Sequence, residues 1–242
     1  MYQCTCFIAD SLAFWKQNGN RAIWFRINLR HSSWVPVLAE EGFNFHHAKE
    51  DYLMMYRWLP DVEVSNIPYY AHTMLGVGAV VMNKKSQILV VTEKTKLTSM
   101  KTPHWKLPGG YVEPGENLVD AAIREVYEET EVMSEFDSVV TFRHSHNRMF
   151  GCSDVYVIIS LNAVTDDIRK CDREIENAQW MDIDEFMSHS EVIEMNQVIV
   201  KKYLDYKKNN VKIDCTHGFH QLLKIPYTLY SVAIGDKNKS GS

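Results

Sequence analysis

The sequence predicts an α/β protein in two parts, a small α/β domain over residues 1–66 and a larger α/β domain over residues 67–242. Three observations predict it. Segments with apolar residues at the 3.6-residue period of a helix alternate along the chain with short β-rich runs. The segment 61–72, preceded by Pro60 and holding Pro68 amid mixed polarity, interrupts both patterns as a linker would. Beyond it the texture shifts to strands rich in Val and Gly.

In the first part, an amphipathic helix is expected from Asp10 to Gln17, stopped by the turn Asn18-Gly19-Asn20. A β-rich run from Ala22 to Leu29, a helix from Val35 to Glu41 and extended segments Phe43 to His46 and Tyr52 to Leu59 follow. The second part opens with strands Gly76 to Met82 and Ile88 to Thr92, joined by the hairpin loop Asn83-Lys84-Lys85-Ser86. After the basic loop Lys94 to Lys101 come Trp105-Lys106-Leu107-Pro108-Gly109-Gly110, an extended Tyr111-Val112 and the turn Glu113-Pro114-Gly115. A helix is expected from Leu118 to about Thr130, then strands at Val139 to Arg143, Val155 to Leu161 and Trp180-Met181. Phe186, Val192, Met195, Ile199 and Tyr203 fall at helical spacing between Ile183 and Tyr206, which predicts C-terminal helices, and the tail from Gly235 to Ser242 is expected to fray.

Composition narrows the function classes. With 242 residues, 45% of them hydrophobic and 24% charged, burial does not limit folding. A formal charge of −5 argues against sequence-independent duplex binding, which needs a basic excess on one face, and leaves nucleotide-sized partners open. Five scattered cysteines, of which only Cys4 and Cys6 are close, lack zinc-ligand spacing and are expected as reduced thiols. No basic opening with a long apolar run and no bilayer-length stretch is present, so secretion and membrane insertion are disfavoured. An intracellular, cytoplasmic location is the expectation, with mitochondrion and nucleus left open.

The chemistry gathers on the helix after Gly115-Glu116. Asn117 suits its N-cap, and Asp120 suits the positive end of its dipole. Val119, Ala122, Ile123 and Val126 form one apolar stripe, while Glu125, Glu128 and Glu129 gather on a neighbouring face. Like charges at i, i+4 cost a helix roughly 0.2–0.5 kcal/mol per pair, and acids near its C-terminal end oppose the macrodipole. Clustered Glu usually marks a solvated face, but such a face mixes in Lys, and the only cation nearby is Arg124. Three carboxylates within a turn offer hard oxygen ligands for Mg²⁺ or Mn²⁺.

The run Gly110-x5-Glu116-x7-Arg124-Glu125-Val126-x-Glu128-Glu129 resembles the Nudix box, a strand-loop-helix signature with many fixed positions. The resemblance implies that Glu125, Glu128 and Glu129 bind the metals, that Glu116 and Arg124 brace the loop on the helix with Gly110, and that Gly109 offers backbone oxygen near the metal. One position departs from the pattern: Glu131 stands where the family has glycine. A left-handed helix exit there would cost a non-glycine residue roughly 1 kcal/mol. Beyond the box, Ala22-Ile23-Trp24-Phe25, Gly42 to Ala48, Phe142-Arg143-x-Ser145-His146, Ser153-Asp154 and Glu174-Ile175-x4-Trp180-Met181 are similar to the animal antisense basic fibroblast growth factor Nudix proteins and the plant cytosolic Nudix hydrolases. That resemblance implies a Nudix α/β/α sandwich with a mixed sheet behind a small acetyltransferase-like N-terminal domain. The acetyl-CoA loop pattern is missing there, so a structural or dimerising role suits that domain better, and a homodimer stays open.

By analogy with the plant relatives, the resemblance points to hydrolysis of ADP-ribose or NADH with release of AMP. Nucleoside triphosphate or RNA-cap hydrolysis, and a regulatory binding protein with a vestigial hydrolase, are the alternatives. Glu174 and Glu176 are the candidate general bases, with plain solvent exposure an equal reading of both. Two Arg and two His within six residues make Arg143, His146 and Arg148 the candidate diphosphate ligands, ahead of the lysines Lys94, Lys96, Lys101 and Lys106. Trp105, Tyr111, Phe142 and Phe150 could stack a base or form core, and His46 and His47 read as ordinary.

Overall fold

The computed structural model describes residues 2–94 and 104–233. Lys96, Lys101 and the tail from Gly235 lie outside the described residues. The chain divides into two compact units between His72 and Thr73, where the sequence suggested 66/67. The reason lies in how the segment expected as linker is held. It forms no regular element, yet Lys16 pairs with Asp61 at 2.6 Å, Trp58 Nε1 donates to Glu63 O at 2.9 Å, and the Tyr70 ring stacks on His47 at 4.5 Å. Those ties make it part of the first unit.

That unit contains α1 (Tyr2–Gln17), β1 (Ala22–Asn28), α2 (Trp34–Glu40), β2 (Asn44–Ala48) and β3 (Tyr52–Trp58). The strands form an antiparallel sheet in the order β1-β3-β2. Helix α1 begins well before the expected Asp10, because Ile8 and Leu12, one turn apart, supply a buried stripe. With Ile27, Val37, Leu38, Phe43, Met55 and Leu59 they form this unit's core.

The second unit contains β4 (Thr73–Met82), β5 (Gln87–Glu93), β6 (Gly109–Tyr111), α3 (Leu118–Thr130), β7 (Ser134–Ser145), β8 (Ser153–Ala163), β9 (Ile175–Asp182), α4 (Ile183–Ser188), α5 (Glu194–Lys208), β10 (Ile213–His220) and β11 (Ile225–Val232). The main sheet runs β7-β8-β4-β5-β9, with β6 paired to the start of β4. It is mixed, since β4 and β8 are parallel and the other pairs antiparallel. Successive side chains leave a strand on opposite faces. Val77, Ala79, Val81, Leu89, Val157, Ile159 and Leu161 accordingly pack with Ala121, Ala122 and Val126 of α3. Val80, Ile88, Val90 and Ile158, one step out of phase, pack with Phe186 of α4 and Ile199, Val200 and Tyr203 of α5. The near-continuous apolar runs of β4 and β5 are what a sheet covered on both faces requires, and each fully buried Val, Leu or Ile contributes roughly 1.5–3 kcal/mol. The result is an α/β/α sandwich.

The C-terminal part matches the expected helices and adds strand to the sequence reading. The helical stretch 183–206 is two helices, because residues 189–193 turn aside to meet Trp105, whose N–H donates to Glu191 O at 2.9 Å. Strand β9 extends far beyond Trp180-Met181 because it pairs with β5 along its length. After α5 the chain forms the antiparallel hairpin β10–β11, in a stretch for which the sequence reading named no element. It is anchored where Thr228 Oγ1 donates to Asn117 Oδ1 at 2.9 Å and where Ile213 and Tyr230 pack on the α3 face of the core. Among the described residues no helix is long and apolar enough to cross a membrane. Cys152, Cys171 and Cys215 are free.

Helix α3 ends on Glu131 in the left-handed conformation, φ 54° and ψ 12°, with the Glu131 N–H donating to Tyr127 O at 2.7 Å. Its side chain gains little there, since the Arg169 contact at 3.6 Å is half in water or more on both sides. Replacing Glu131 with Gly should therefore stabilise the protein by about 0.5–1 kcal/mol, the left-handed cost less the extra entropy of a free glycine. Thermal melting should show the midpoint rising by about 1–4 °C, and a fall would show that the Glu131 side chain contributes more than its backbone costs.

Candidate active site

The glycine pair sets the geometry. Strand β6 lays Gly109 opposite Gly78 and Gly110 opposite Val77. Gly109 has φ +151°, and a Cβ there would lie 2.7 Å from Gly78 Cα. A Cβ on Gly110 would lie 2.5 Å from Glu125 Oε1. Only glycine lets this strand run against both β4 and the acidic face of α3.

Arg124 organises the other side. Its Nε donates to Glu116 Oε1 at 2.7 Å and its second terminal nitrogen to Glu116 Oε2 at 2.9 Å and to Tyr111 O at 3.0 Å. The remaining terminal nitrogen donates to Glu125 Oε1 at 2.9 Å and Glu128 Oε2 at 3.1 Å. One guanidinium thus joins β6, the loop and α3. Glu116 also accepts the Glu113 N–H at 3.0 Å, which closes the turn before the helix. The Arg124 hydrogen bonds hold the Glu116 carboxyl below its usual range, and the bond to Glu116 first of all raises the Arg124 guanidinium. Asn117 does not cap α3 with its side chain: its amide donates to Asp120 Oδ2 at 3.0 Å and its oxygen accepts from the hairpin's Thr228.

The three acids of α3 sit in three environments. Glu129 is buried, accepts the Gly109 N–H at 3.2 Å and lies 3.7 Å from Lys106 Nζ. Burial pushes its carboxyl up to about 7, against the pull of Lys106. Glu125 is largely covered, and burial raises it too, opposed by Arg124. Glu128 stands 58% exposed on Arg124. The three do not converge as helical spacing alone suggests. Among the described residues, no three His, Cys, Asp or Glu side chains are gathered to hold a metal ion, because Arg124 draws Glu125 and Glu128 to itself while Lys106 holds Glu129. The donor set nevertheless fits a hard divalent cation. A carboxyl as buried as Glu129, beside a second raised carboxyl, needs positive charge to ionise fully at neutral pH.

A cleft of about 580 Å³ opens beside the glycine pair. Glu93, Lys106, Gly109, Gly110 and Tyr111 line one part of it, and Arg143, Asn147, Arg148, Met149, Asp154 and Tyr156 another. Arg143 is aimed by Asp154 at 2.9 Å and lies over the Tyr156 ring at 5.2 Å. Of the three expected diphosphate ligands, Arg143 and Arg148 line the cleft. His146 does not: it shares a hydrogen bond with Ser153 Oγ at 2.9 Å and meets His144 edge-on. Glu174 and Glu176 do not line it either. Glu174 is exposed beside Arg173, and Glu176 is exposed at the register shift of β9 against β5. Among the aromatics, Tyr111 lines the cleft, Trp105 packs against the core, and Phe142 and Phe150 are exposed. A smaller cavity of about 140 Å³ between β7 and α5, lined by Asp137, Tyr203 and Lys207 among others, lies away from this chemistry.

Sequence reasoning missed Glu93 and Tyr156 and ranked Lys106 low. Glu93 carried a faint signal as the first charged residue after an apolar strand. Tyr156 was announced by its partners: a Cβ on Gly76 or Gly78 would come within 2.9 or 2.6 Å of its ring or hydroxyl. Two glycines in a strand of valines mark a close approach.

The Arg124–Glu116 pair makes a pH-dependent contribution. Glu116 titrates lower in the folded protein than its ordinary 4.5, so the pair's stabilisation is present above that value and is lost as pH falls through the lowered one. Replacing Glu116 with Gln should cost about 1–2 kcal/mol near neutral pH. Denaturant unfolding of both proteins across pH should show the difference shrinking below about pH 4, and a gap that stays constant would remove Glu116 from that role.

The NUDIX domain matches residues 72–201, and a second pattern, described as a Nudix hydrolase domain, matches residues 5–59. Nudix hydrolase 8 of Arabidopsis thaliana is 38% identical over 186 residues, 77% of this chain and 50% of that protein. Nudix hydrolase 2 of Arabidopsis thaliana is 36% identical, over 81% of this chain and 67% of that protein. The human nucleoside diphosphate-linked moiety X motif 6 is 36% identical, over 84% and 64%. The matched part therefore spans half to two thirds of these relatives. A NUDIX hydrolase crystal structure from Nitrosomonas europaea, 19% identical, superposes with a TM-score of 0.50 over 69% of this chain and 88% of that one, a likeness of fold. With the NUDIX domain covering more than half its residues, the chain belongs to the Nudix hydrolase family.

Proposed function

We propose that the chain hydrolyses the diphosphate linkage of a nucleoside-diphosphate derivative, ADP-ribose or NADH, and releases AMP. The observation that carries this is the cleft itself, where Arg143, Arg148 and Lys106 face a glycine strand packed on the acidic helix. A diphosphate is a doubly anionic group, and guanidinium forks are the side chains that receive such groups by paired hydrogen bonds. The cleft falls in the 300–1,000 Å³ range of small-molecule sites. The names of the relatives point to nucleoside diphosphates carrying a further moiety.

Glu125, Glu128, Glu129 and the Gly109 carbonyl would hold Mg²⁺ or Mn²⁺, which when bound offsets diphosphate charge and acidifies a water. The chain's own residues do the rest. Arg143, fixed by Asp154, orients one phosphoryl group, and Arg148 on the following loop receives the other. Tyr111, half exposed at the cleft, offers a face for the nucleoside base. Glu174 and Glu176 are the candidate bases for the proton of the attacking water; both are exposed rather than lining the cleft, and Glu174 is favoured because its loop is tied to the end of α3 through Cys171 N donating to Glu129 O at 2.9 Å. The water oxygen joins phosphorus, the bridging P–O bond breaks, and the leaving phosphate takes up a proton.

The test is a panel of ADP-ribose, NADH, nucleoside triphosphates and capped RNA, incubated with Mg²⁺ and resolved by chromatography. AMP from ADP-ribose or NADH is expected, with a fall in kcat/KM of roughly a hundredfold or more for Glu128→Gln and for Glu174→Gln. Pyrophosphate or cap products instead would move the substrate class, and full activity in Glu174→Gln would move the base.

A further inference from the structure

Lys106 reaches two carboxylates at once, through a hydrogen bond to Glu93 and an ion pair with Glu129 at 3.7 Å. The two partners differ. The Glu129 side chain is 8% exposed and faces the glycine strand, whereas Glu93 is 46% exposed at the end of β5. The backbone of Lys106 is fixed on β5, since Val91 N donates to Lys106 O at 3.0 Å and Lys106 N to Val91 O at 2.9 Å. Its stem is therefore held while its four-carbon arm can pivot. Arg124, which bonds the other two acids of that helix, is tied at more points, with its hydrogen bonds spread over Glu116, Tyr111, Glu125 and Glu128.

A divalent ion ligated by Glu129 would bring two positive groups against one buried carboxylate. Lys106 would then have to withdraw, and Glu93 already offers it a partner nearer to water. We infer that Lys106 is the resident counter-ion of the metal site, neutralising Glu129 before an ion binds and passing wholly to Glu93 when one does. The inference rests on the reading of the acidic helix as a metal site. Lys106 and Glu93 are positioning residues in it: they set how readily Glu129 is released, and neither ligates the ion.

Opposite effects on metal affinity follow. Lys106→Met removes the competitor and should tighten Mn²⁺ binding by about tenfold. Glu93→Gln removes the retreat, keeps Lys106 on Glu129 and should weaken binding by about threefold or more. In the double variant the Glu93→Gln effect should largely vanish, because Lys106 is no longer there to be misdirected.

The experiment is isothermal titration of MnCl₂ into the full chain and the three variants without nucleotide, with melting curves to verify that each is folded. Lys106→Gln stands in should Lys106→Met not fold. Tighter binding for the lysine variant, together with a Glu93→Gln effect that depends on Lys106, is the expected result. Unchanged or weaker Mn²⁺ binding without Lys106, or an equal Glu93→Gln effect in both backgrounds, overturns the counter-ion role while leaving the metal reading intact. Absence of Mn²⁺ uptake in all four proteins overturns the metal reading and the counter-ion role together.

Discussion

Arg124 is the residue on which the arrangement of this site depends. A helix that carries Glu125, Glu128 and Glu129 within five residues repels itself and opposes its own dipole. The guanidinium answers part of that repulsion by bonding two of the three acids, and with its other donors it ties Glu116 and the Tyr111 carbonyl to the same point. A lysine could not do this, since an ammonium has no planar fork to serve several acceptors at fixed angles. The strand, the loop and the helix follow one another directly in the chain, and these bonds fix how the three fold back on each other. Because Arg124 is 23% exposed and its partner Glu116 16%, these bonds are screened less than a surface pair would be.

The sheet supplies the platform on which those bonds can be made. Its parallel β4–β8 pair lies at the centre, buried on both faces, and β4 passes its early residues to β6 and its last to β5. The glycines at 76, 78, 109 and 110 cluster at that handover, where side chains from β8 and α3 occupy the space their Cβ atoms would need. Glycine is costly in a strand interior. Here the cost falls where Tyr156 and Glu125 come close to backbone, so the glycines of the sheet lie at the edge of the candidate site.

Helix α3 was legible to the residue, Leu118 to Thr130, since a strong apolar stripe lies between a turn and a departure from helical pattern. Its exit at Glu131 was legible only as a question, which the backbone answers by keeping the left-handed turn without glycine. The hairpin β10–β11 was not legible. Its residues are mostly exposed, so each strand alternates in burial over only a few positions, and Tyr227 lies across Gly218 while Thr228 anchors the hairpin on Asn117. For the site, residues on one helix could be grouped by periodicity, but Glu93, Lys106, Arg143 and Tyr156 come from different strands and flanking segments, and their meeting depends on sheet order, which local sequence does not encode. His146 shows the converse, since nearness in sequence to Arg143 and Arg148 does not put a side chain in the same cleft.

Arg124 and Lys106, the cations paired with Glu125, Glu128 and Glu129 among the described residues, divide the electrostatic load unequally. Glu129 is the acid with the least water around it, so it is the one that most needs a positive neighbour. Arg124 serves the two more exposed acids, which need it less, and serves them with bonds that also hold the loop; moving it would dismantle the turn at Glu113–Glu116. Lys106 serves Glu129 through a single contact at 3.7 Å, longer than a good charged hydrogen bond, while bonding Glu93 directly. The most deeply placed acid is therefore also the one held by the weakest contact. The Arg124–Glu116 pair on the far side fixes the frame, and so a carboxylate cluster whose members repel one another is held in place by the two cations it bonds.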